Sequence, residues 1–305
     1  ISPKQEDRLS ITHHSVTIGG KEIRYTATTG TYVLKEEVEG ETEKPAEQEK
    51  PKARVFFVAY TVEQDEDQPE RPLTFAFNGG PGAASVWLHL GAMGPRTLVT
   101  KPDGTPAPPP PAIADNPLTW LAFTDLVFVD PVGTGYSRSL SKNDAARFWD
   151  VRQDVRSVSE FIRLYLTTRK RWLSPKYLAG ESYGATRAAE MANYLETRLG
   201  IRLNGMVLVS PALDFATLHG GGRNLPYALR LPACAAAAAY HGRGAFPADG
   251  KLADRLAAVE RYALGDYLGT LLRAGRRTTE ASDALYRKVA ELTGLDPSTV
   301  RRNRG

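Results

Sequence analysis

The segment that decides the fold is YLAGESYG, residues 177–184. Its apolar start is typical of a buried strand. The apolar residues that follow recur every three or four positions, which is typical of a helix: Ala188, Met191, Ala192, Leu195 and Leu199. A Gly-x-Ser-x-Gly turn between a strand and a helix exposes the serine hydroxyl, so that it can act as a nucleophile. We therefore predict that Ser182 is a catalytic nucleophile, with an accidental turn serine as the alternative.

Short apolar runs and helical periods alternate on both sides of this segment. A helical period covers residues 148–165, and the runs that are typical of strands are Val55–Tyr60, Leu73–Phe77, Leu126–Val129 and Met206–Val209. Strands that alternate with helices predict an α/β fold, with a mostly parallel central sheet that is flanked by helices.

The two ends of the chain have different patterns. Residues 15–33 alternate polar and apolar around Gly19-Gly20 and Gly30, which predicts antiparallel strands with tight turns at these glycines. From Leu252 onward the apolar spacing is helical and no further strand is indicated. We expect residues 1–215 to form the α/β core and residues 216–305 to form a separate helical region.

A second glycine-rich segment, NGGPG at residues 78–82, follows the predicted strand Leu73–Phe77. Acyl transfer needs two fixed N–H donors aimed at the developing oxyanion. In an α/β-hydrolase fold one donor is the amide after the nucleophile, here Tyr183, and the other lies on the loop after an earlier strand. Glycines in that loop let the backbone approach a substrate. An ordinary glycine turn is the alternative.

Composition excludes several classes of protein. The chain has 305 residues, of which 42% are hydrophobic, as expected for a globular protein with a sizeable core. A single cysteine, Cys234, excludes an intrachain disulfide and a multi-cysteine metal site. The net charge of +4 is too small to indicate a nucleic-acid partner. No apolar run reaches the ~20 residues of a membrane-spanning helix. Nothing indicates a metal or another cofactor.

Three motifs together resemble the serine carboxypeptidases, the family that includes cathepsin A. They are FNGGPG at residues 77–82, DPVGTGYS at 130–137 and GESYG at 180–184, and the likeness runs from about residue 54 to the end. The resemblance implies an α/β-hydrolase fold in which residues 216–305 begin a helical cap. It also implies that C-terminal residues are cleaved from a peptide substrate through an acyl-enzyme on Ser182, with the amides of Gly80 and Tyr183 as the oxyanion hole.

The resemblance further implies a binding site for the C-terminal carboxylate of the substrate, formed by Asn78, Gly79 and Glu181. Two ionised carboxylates in contact repel each other, so one of the pair must be protonated, which favours activity at acid pH. Family members carry a further Glu shortly after the NGGPG block, whereas residues 90–95 here contain no acid. Ala83 stands where the family has a cysteine. These departures concern the C-terminal specificity and a disulfide of the family, and leave the elements of serine hydrolysis in place.

The rest of a catalytic triad is not evident. In this fold an Asp or Glu and then a His follow the serine, each after a later strand. The histidines after Ser182 are His219 and His241, and neither follows a predicted last strand. Asp214 is the acid placed most like a triad member. We expect loop or structural roles for all three.

The triad base is therefore expected from elsewhere. His13, His14 and His89 precede the nucleophile and fit no triad order of this fold. We expect the last two core strands of the family, with their Asp and His, to lie outside these 305 residues. We expect a second chain, or a missing C-terminal segment, to supply the catalytic Asp and His.

Two other classes of function remain open. The same fold serves esterases, acyltransferases and aminopeptidases, because fold does not determine substrate. A non-catalytic binding subunit is the third hypothesis, since the base is not evident. The chain begins at Ile1 without an apolar signal segment. The resemblance favours a secreted or periplasmic protein.

Overall fold

The computed structural model describes residues 8–37, 49–65, 68–140, 145–212, 214–218, 224–244, 251–273 and 278–305. Contacts between Cα atoms divide the chain into two compact units, Ile1–Leu213 and Asp214–Gly305. The assignment of residues 1–215 as a hydrolase core and 216–305 as a cap stays a prediction.

The described part of the first unit contains ten strands. They are β1 (Arg8–Ile18), β2 (Lys21–Glu37), β3 (Glu49–Val62), β4 (Leu73–Phe77), β5 (Arg96–Leu98), β6 (Ile113–Asp115), β7 (Asp125–Val129), β8 (Arg138–Ser139), β9 (Lys176–Glu181) and β10 (Gly205–Val209). Eight of them form one sheet in the order β1-β2-β3-β7-β4-β9-β10, with β8 paired to β3, and β5 pairs separately with β6.

This sheet is mixed. Strands β1, β2 and β3 pair antiparallel, and β3 joins them antiparallel to β7. Strands β7, β4, β9 and β10 run parallel. The α/β-hydrolase fold is confirmed, and the first antiparallel hairpin turns at Gly19-Gly20 as predicted. The sheet is mixed rather than mostly parallel, because the three N-terminal strands pair antiparallel. Gly30 lies within β2 and not at a turn; a Cβ atom there would lie 1.9 Å from the carbonyl oxygen of Arg8.

The first unit contains the helices α1 (Val86–Leu88), α2 (Val151–Thr168) and α3 (Tyr183–Leu199). Helices α2 and α3 cover one face of the sheet. Buried residues of α2 and α3 pack with β2, β3, β4, β7 and β9 in one core. A second core, which includes Leu88, Met93 and Leu121, covers the opposite side of the same strands. Every residue of β4 and of β7 is therefore buried, which explains why their sequences are almost wholly apolar.

The pairing register brings the carboxyl ends of the parallel strands together. Phe77 of β4 pairs with Gly180 of β9, and Val209 of β10 pairs with Glu181. The segments that follow these strands consequently meet at one edge of the sheet, which is where ligands bind in open α/β folds.

In the second unit, the regular structure that is described is helical. It comprises α4 (Leu225–Tyr240), α5 (Leu252–Tyr262), α6 (Leu268–Leu272), α7 (Thr279–Thr293) and α8 (Pro297–Arg302), with a π-helical turn, Ala263–Tyr267, between α5 and α6. These helices share a core of their own that includes Leu231, Val259, Tyr267, Leu285 and Val289.

Candidate active site

Ser182 lies in a strained turn between β9 and α3. Its backbone has φ 59° and ψ −122°, a conformation that costs a non-glycine residue on the order of 1–3 kcal/mol. Three hydrogen bonds maintain it. The Ser182 amide donates to the carbonyl of Val209 (2.9 Å), and the Ser182 carbonyl accepts from the amides of Ala185 (3.0 Å) and Ala212 (3.2 Å). The geometry is that of a nucleophile elbow.

The two glycines of the motif make this turn possible. A Cβ atom on Gly180 would lie 2.2 Å from the carbonyl oxygen of Gly184, and one on Gly184 would lie 2.7 Å from that of Phe77. Both distances are too short for real side chains, and the obstructing atoms are backbone. Only glycine therefore lets the start of α3 pack on β9 and on the end of β4.

The glycine-rich loop after β4 packs directly on this elbow. A Cβ atom on Gly79 would lie 2.5 Å from the amide nitrogen of Tyr183 and 2.6 Å from the carbonyl oxygen of Glu181. Gly80 follows with φ +101°, which favours glycine, and is exposed. Tyr183 is the first residue of α3, and the first amides of a helix have no acceptor within the helix. The loop and the elbow thus bring the two predicted donors, Gly80 and Tyr183, to adjoining segments.

Asn78 and Glu181 form the polar pair of the site. The Asn78 side-chain amide donates to Glu181 Oε2 (3.0 Å), and Asn78 Oδ1 accepts from the amide of Leu88 (3.0 Å). Asn78 is buried, whereas Glu181 is partly exposed. The side chain of Asn78 is thus held from both ends and orients the carboxyl group of Glu181.

A cavity of about 480 Å³ opens over these residues. Its lining consists of Asn78, Gly80, Ala83, Trp87, Leu88, Glu181 and Ser182. Four of the six predicted site residues line it, while Gly79 and Tyr183 lie in the buried backbone contact beneath. Trp87, a residue that is 72% exposed, was not predicted from the sequence. Its position, nine residues after Asn78 and close to the glycine-rich loop, could have indicated that it lines the site.

The third motif, residues 130–137, supports the wall of the site. The Asp130 carboxylate accepts from the amides of Ser85 (2.9 Å) and Tyr136 (3.3 Å), and Ser85 Oγ donates to the carbonyl of Val129. Burial raises the pKa of Asp130, and the two amide hydrogen bonds oppose this rise. A Cβ atom on Gly135 would lie 1.8 Å from Asp130 Oδ2, which explains that glycine. The motif fastens the segment after the glycine-rich loop to the end of β7.

The histidines described in the first unit all hydrogen-bond other side chains. His89 Nε2 lies 2.7 Å from the Tyr60 hydroxyl, and its ring stacks on Phe128 with a centroid distance of 4.6 Å. Burial lowers the pKa of His89 to about 4. His13 contacts Glu63, and His14 contacts Thr12. None of these three histidines hydrogen-bonds Ser182.

The residues considered for the triad after Ser182 fall in or near the second unit. Asp214 caps the turn Phe215–Thr217, since its carboxylate accepts from the amide of Ala216 (2.8 Å). His241 is exposed at the end of α4, and its ring meets Tyr240 edge-on. His219 lies outside the described residues.

The described residues offer neither a metal site nor a membrane-spanning helix. Their His, Cys, Asp and Glu side chains form no group of three that could hold a metal ion. Their helices include none with both the length and the apolarity to cross a bilayer.

Known proteins with similar sequences span more than this chain. The pheromone-processing carboxypeptidase KEX1 of Yarrowia lipolytica is 31% identical over 178 residues, which is 57% of this chain and 26% of that protein. Serine carboxypeptidase-like 16 of Arabidopsis thaliana is 27% identical over 164 residues, 51% of this chain and 37% of that protein. The chain thus matches between about a quarter and two fifths of the length of these curated relatives.

A solved structure was also found: the prohormone-processing carboxypeptidase Kex1(delta)p from Saccharomyces cerevisiae has a TM-score of 0.46 at 18% identity, over 90% of this chain and 53% of the other. The model of the family described as serine carboxypeptidase matches residues 45–228, more than half of the chain. That match contains the glycine-rich loop, the Asp130 motif and the nucleophile elbow. The chain therefore belongs to the serine carboxypeptidase family.

Proposed function

We propose that Ser182 is the nucleophile of a serine carboxypeptidase-type hydrolase, which removes C-terminal residues from peptides. The observation that supports this most is that the strained Ser182 shares one cavity with Gly80 and with the Asn78–Glu181 pair. A nucleophile, an oxyanion donor and a partner for a carboxylate are the three groups that this reaction requires at one place.

In the proposed reaction, Ser182 Oγ adds to the scissile carbonyl carbon while a base takes the hydroxyl proton. The amides of Gly80 and Tyr183 stabilise the oxyanion of the tetrahedral intermediate. Collapse of the intermediate breaks the C–N bond, and the protonated base gives its proton to the leaving amine, so an acyl-enzyme forms on Ser182. Water, activated by the same base, then releases the shortened peptide.

The substrate's C-terminal carboxylate is proposed to bind Glu181 and Asn78. Because the two carboxyl groups must share a proton, binding weakens as the pH rises. Trp87 and Leu88 add apolar surface to the same cavity, which would suit the side chains of the substrate.

The base is proposed to be a His, oriented by an Asp, that lies on a second chain or on a part of the polypeptide beyond these 305 residues. The hydrogen bonds of His13, His14 and His89 to other side chains support this. Intact mass measurement of the active protein under denaturing conditions tests it. Two species, the second with an Asp and a late His, support a second chain, and one longer species supports the same polypeptide. A lone active chain of 33.4 kDa would overturn the proposal.

An ester or acyl-transfer substrate is the second candidate, since the lining of the cavity contains one carboxyl group, Glu181. A peptide and its C-terminal amide separate the two activities. We expect hydrolysis of the free acid to exceed that of the amide by at least tenfold at acid pH. Equal turnover would remove the carboxypeptidase assignment but leave the serine hydrolase.

A fluorophosphonate probe tests the nucleophile itself. We expect it to label Ser182 in the complete natural protein, with peptide mapping to locate the adduct. An unreactive Ser182 would support the third hypothesis, a non-catalytic binding subunit.

A further inference from the structure

A buried arginine connects α2 and α3 to the glycine-rich loop of the site. Arg187, on α3, is 1% exposed. Its Nε donates to Asp154 Oδ2 on α2 (2.8 Å), and its Nη1 donates to the carbonyl of Asn78 at the end of β4 (2.9 Å). One guanidinium group therefore connects both helices to the backbone of the glycine-rich loop.

Aromatic rings enclose this guanidinium group. Its central carbon lies 5.2 Å from the centre of the Phe77 ring and 5.1 Å from that of the Tyr183 ring, distances at which a cation is attracted by the ring. The Tyr183 hydroxyl donates to the same Asp154 oxygen at 3.0 Å. Tyr183 and Arg187 thus share one acceptor, and the residue after the nucleophile is held by its side chain.

The connection reaches both proposed oxyanion donors through the backbone. Gly80 is two residues beyond the carbonyl that accepts from Arg187, and Tyr183 is the residue whose hydroxyl bonds Asp154. Between them, Gly79 leaves no room for a Cβ atom against the Tyr183 amide. A shift of the loop relative to the elbow would therefore move the two donors apart.

We propose that Arg187, held by Asp154, is a positioning residue that sets the geometry of the oxyanion hole. This inference rests on the proposed function of Ser182. Arginine suits the role because it is charged at every accessible pH and its planar group donates in two fixed directions at once. Lysine could pair with Asp154 but could not bridge to the Asn78 carbonyl with the same geometry.

The first test is Arg187→Lys in the complete natural protein, with kcat expressed per active site titrated by its acyl-enzyme burst. Donors that act only in the transition state change kcat, and a displacement of about 1 Å costs on the order of 10²-fold. We expect kcat to fall about 10- to 100-fold while KM changes less than about threefold. Affinity for a peptidyl boronic acid, which mimics the tetrahedral intermediate, should fall in parallel.

A matched control is Arg71→Lys. Arg71 also donates its Nε to a buried carboxylate, Asp125 Oδ1, and its Nη2 to a backbone carbonyl, that of Leu121, at the opposite end of the sheet. The Arg71→Lys substitution should leave kcat per titrated site unchanged. A milder variant, Tyr183→Phe, keeps the ion pair and removes one hydroxyl, and should lower kcat about two- to tenfold.

The outcomes are distinct. Unchanged kcat per titrated site in both Arg187→Lys and Tyr183→Phe overturns the positioning role and leaves the proposed function standing. Should Arg187→Lys not fold, Tyr183→Phe alone decides. A wild-type protein that neither reacts with the probe nor cleaves peptides overturns the proposed function and this inference with it.

Discussion

The two ends of the parallel strands each contain a buried carboxylate paired with arginine. At the end with the cavity, Asp154 and Arg187 are 8% and 2% exposed in their side chains. At the other end, Asp125, the first residue of β7, pairs with Arg71 and Arg171 and is 3% exposed. The arginines of both clusters also donate to backbone carbonyls.

The difference lies in the backbone that each cluster holds. Arg71 and Arg171 connect segments that precede the strands, whereas Arg187 connects the glycine-rich loop to the nucleophile elbow. Similar pairs should therefore contribute similarly to folding and differently to catalysis. The role of a buried ion pair therefore follows from the segments that it joins.

The largest effect is expected from removal of the nucleophile at the cavity end of the strands. Ser182→Ala should lower kcat on the order of 10⁴-fold, as deletion of a catalytic serine does in other hydrolases. The thermal midpoint should stay unchanged or rise, because the variant loses a partly exposed hydroxyl in a strained turn. Hydrolysis of a peptide by purified variant and wild type measures this, and retention of most activity would place the nucleophile elsewhere.

The substitution Asp125→Asn tests the ion-pair cluster at the other end of the strands, away from the cavity. Loss of the charge leaves Arg71 and Arg171 without a full counter-charge, and breaking a buried pair in this way costs about 3 kcal/mol. Denaturant unfolding should show this loss. In contrast, kcat per titrated site should match wild type, and a tenfold decrease would contradict the division between the two ends.

The substitution Gly79→Ala tests the close backbone contact between the glycine-rich loop and the nucleophile elbow. The new Cβ would meet the Tyr183 amide at 2.5 Å, so we expect kcat/KM to fall about 100-fold. Gly265→Ala is the control, since nothing lies within 4 Å of a Cβ there, and it should keep wild-type kcat/KM. Equal activity of both variants would mean that the loop has room to move.

The smallest effect is expected from Glu181→Gln. The substitution removes the carboxyl group that repels an ionised substrate, so the fall of kcat/KM with rising pH should become shallower and the optimum should shift upward. Preference for the free acid over the C-terminal amide should decrease about tenfold. A pH profile that matches wild type would remove Glu181 from the carboxylate site.

Local patterns were enough to predict the fold because they lie within short segments, whereas the catalytic and binding roles of the site residues stay predictions. Strand, turn and helix around Ser182 are adjacent in sequence, and so are Leu73–Phe77 and the loop that follows it. Backbone requirements at Gly79, Gly180 and Gly184 also show directly in the sequence.

Long-range pairs could not be predicted in this way. Asp154 lies in the first turn of α2, where an acidic residue is common on a solvent-facing helix start. Arg187 interrupts the apolar face of α3 and carries no local sign that it meets a carboxylate 33 positions away. Only the tertiary arrangement shows that both are buried, because the residues that cover them come from separate strands and helices.

The buried imidazole of His89 has a consequence for the conditions under which the protein can work. The unfolded side chain takes up a proton near pH 6.5 and the folded one near pH 4, so the unfolded state binds more protons between these values. The contribution of His89 to stability is fully present above about pH 6.5 and is lost as the pH falls toward 4, by about 3 kcal/mol at most. His89→Gln should flatten this decline in urea titrations. Acidity that favours the proposed contact between carboxyl groups would thus erode the fold that presents it, and the working range is bounded from below by a side chain outside the cavity.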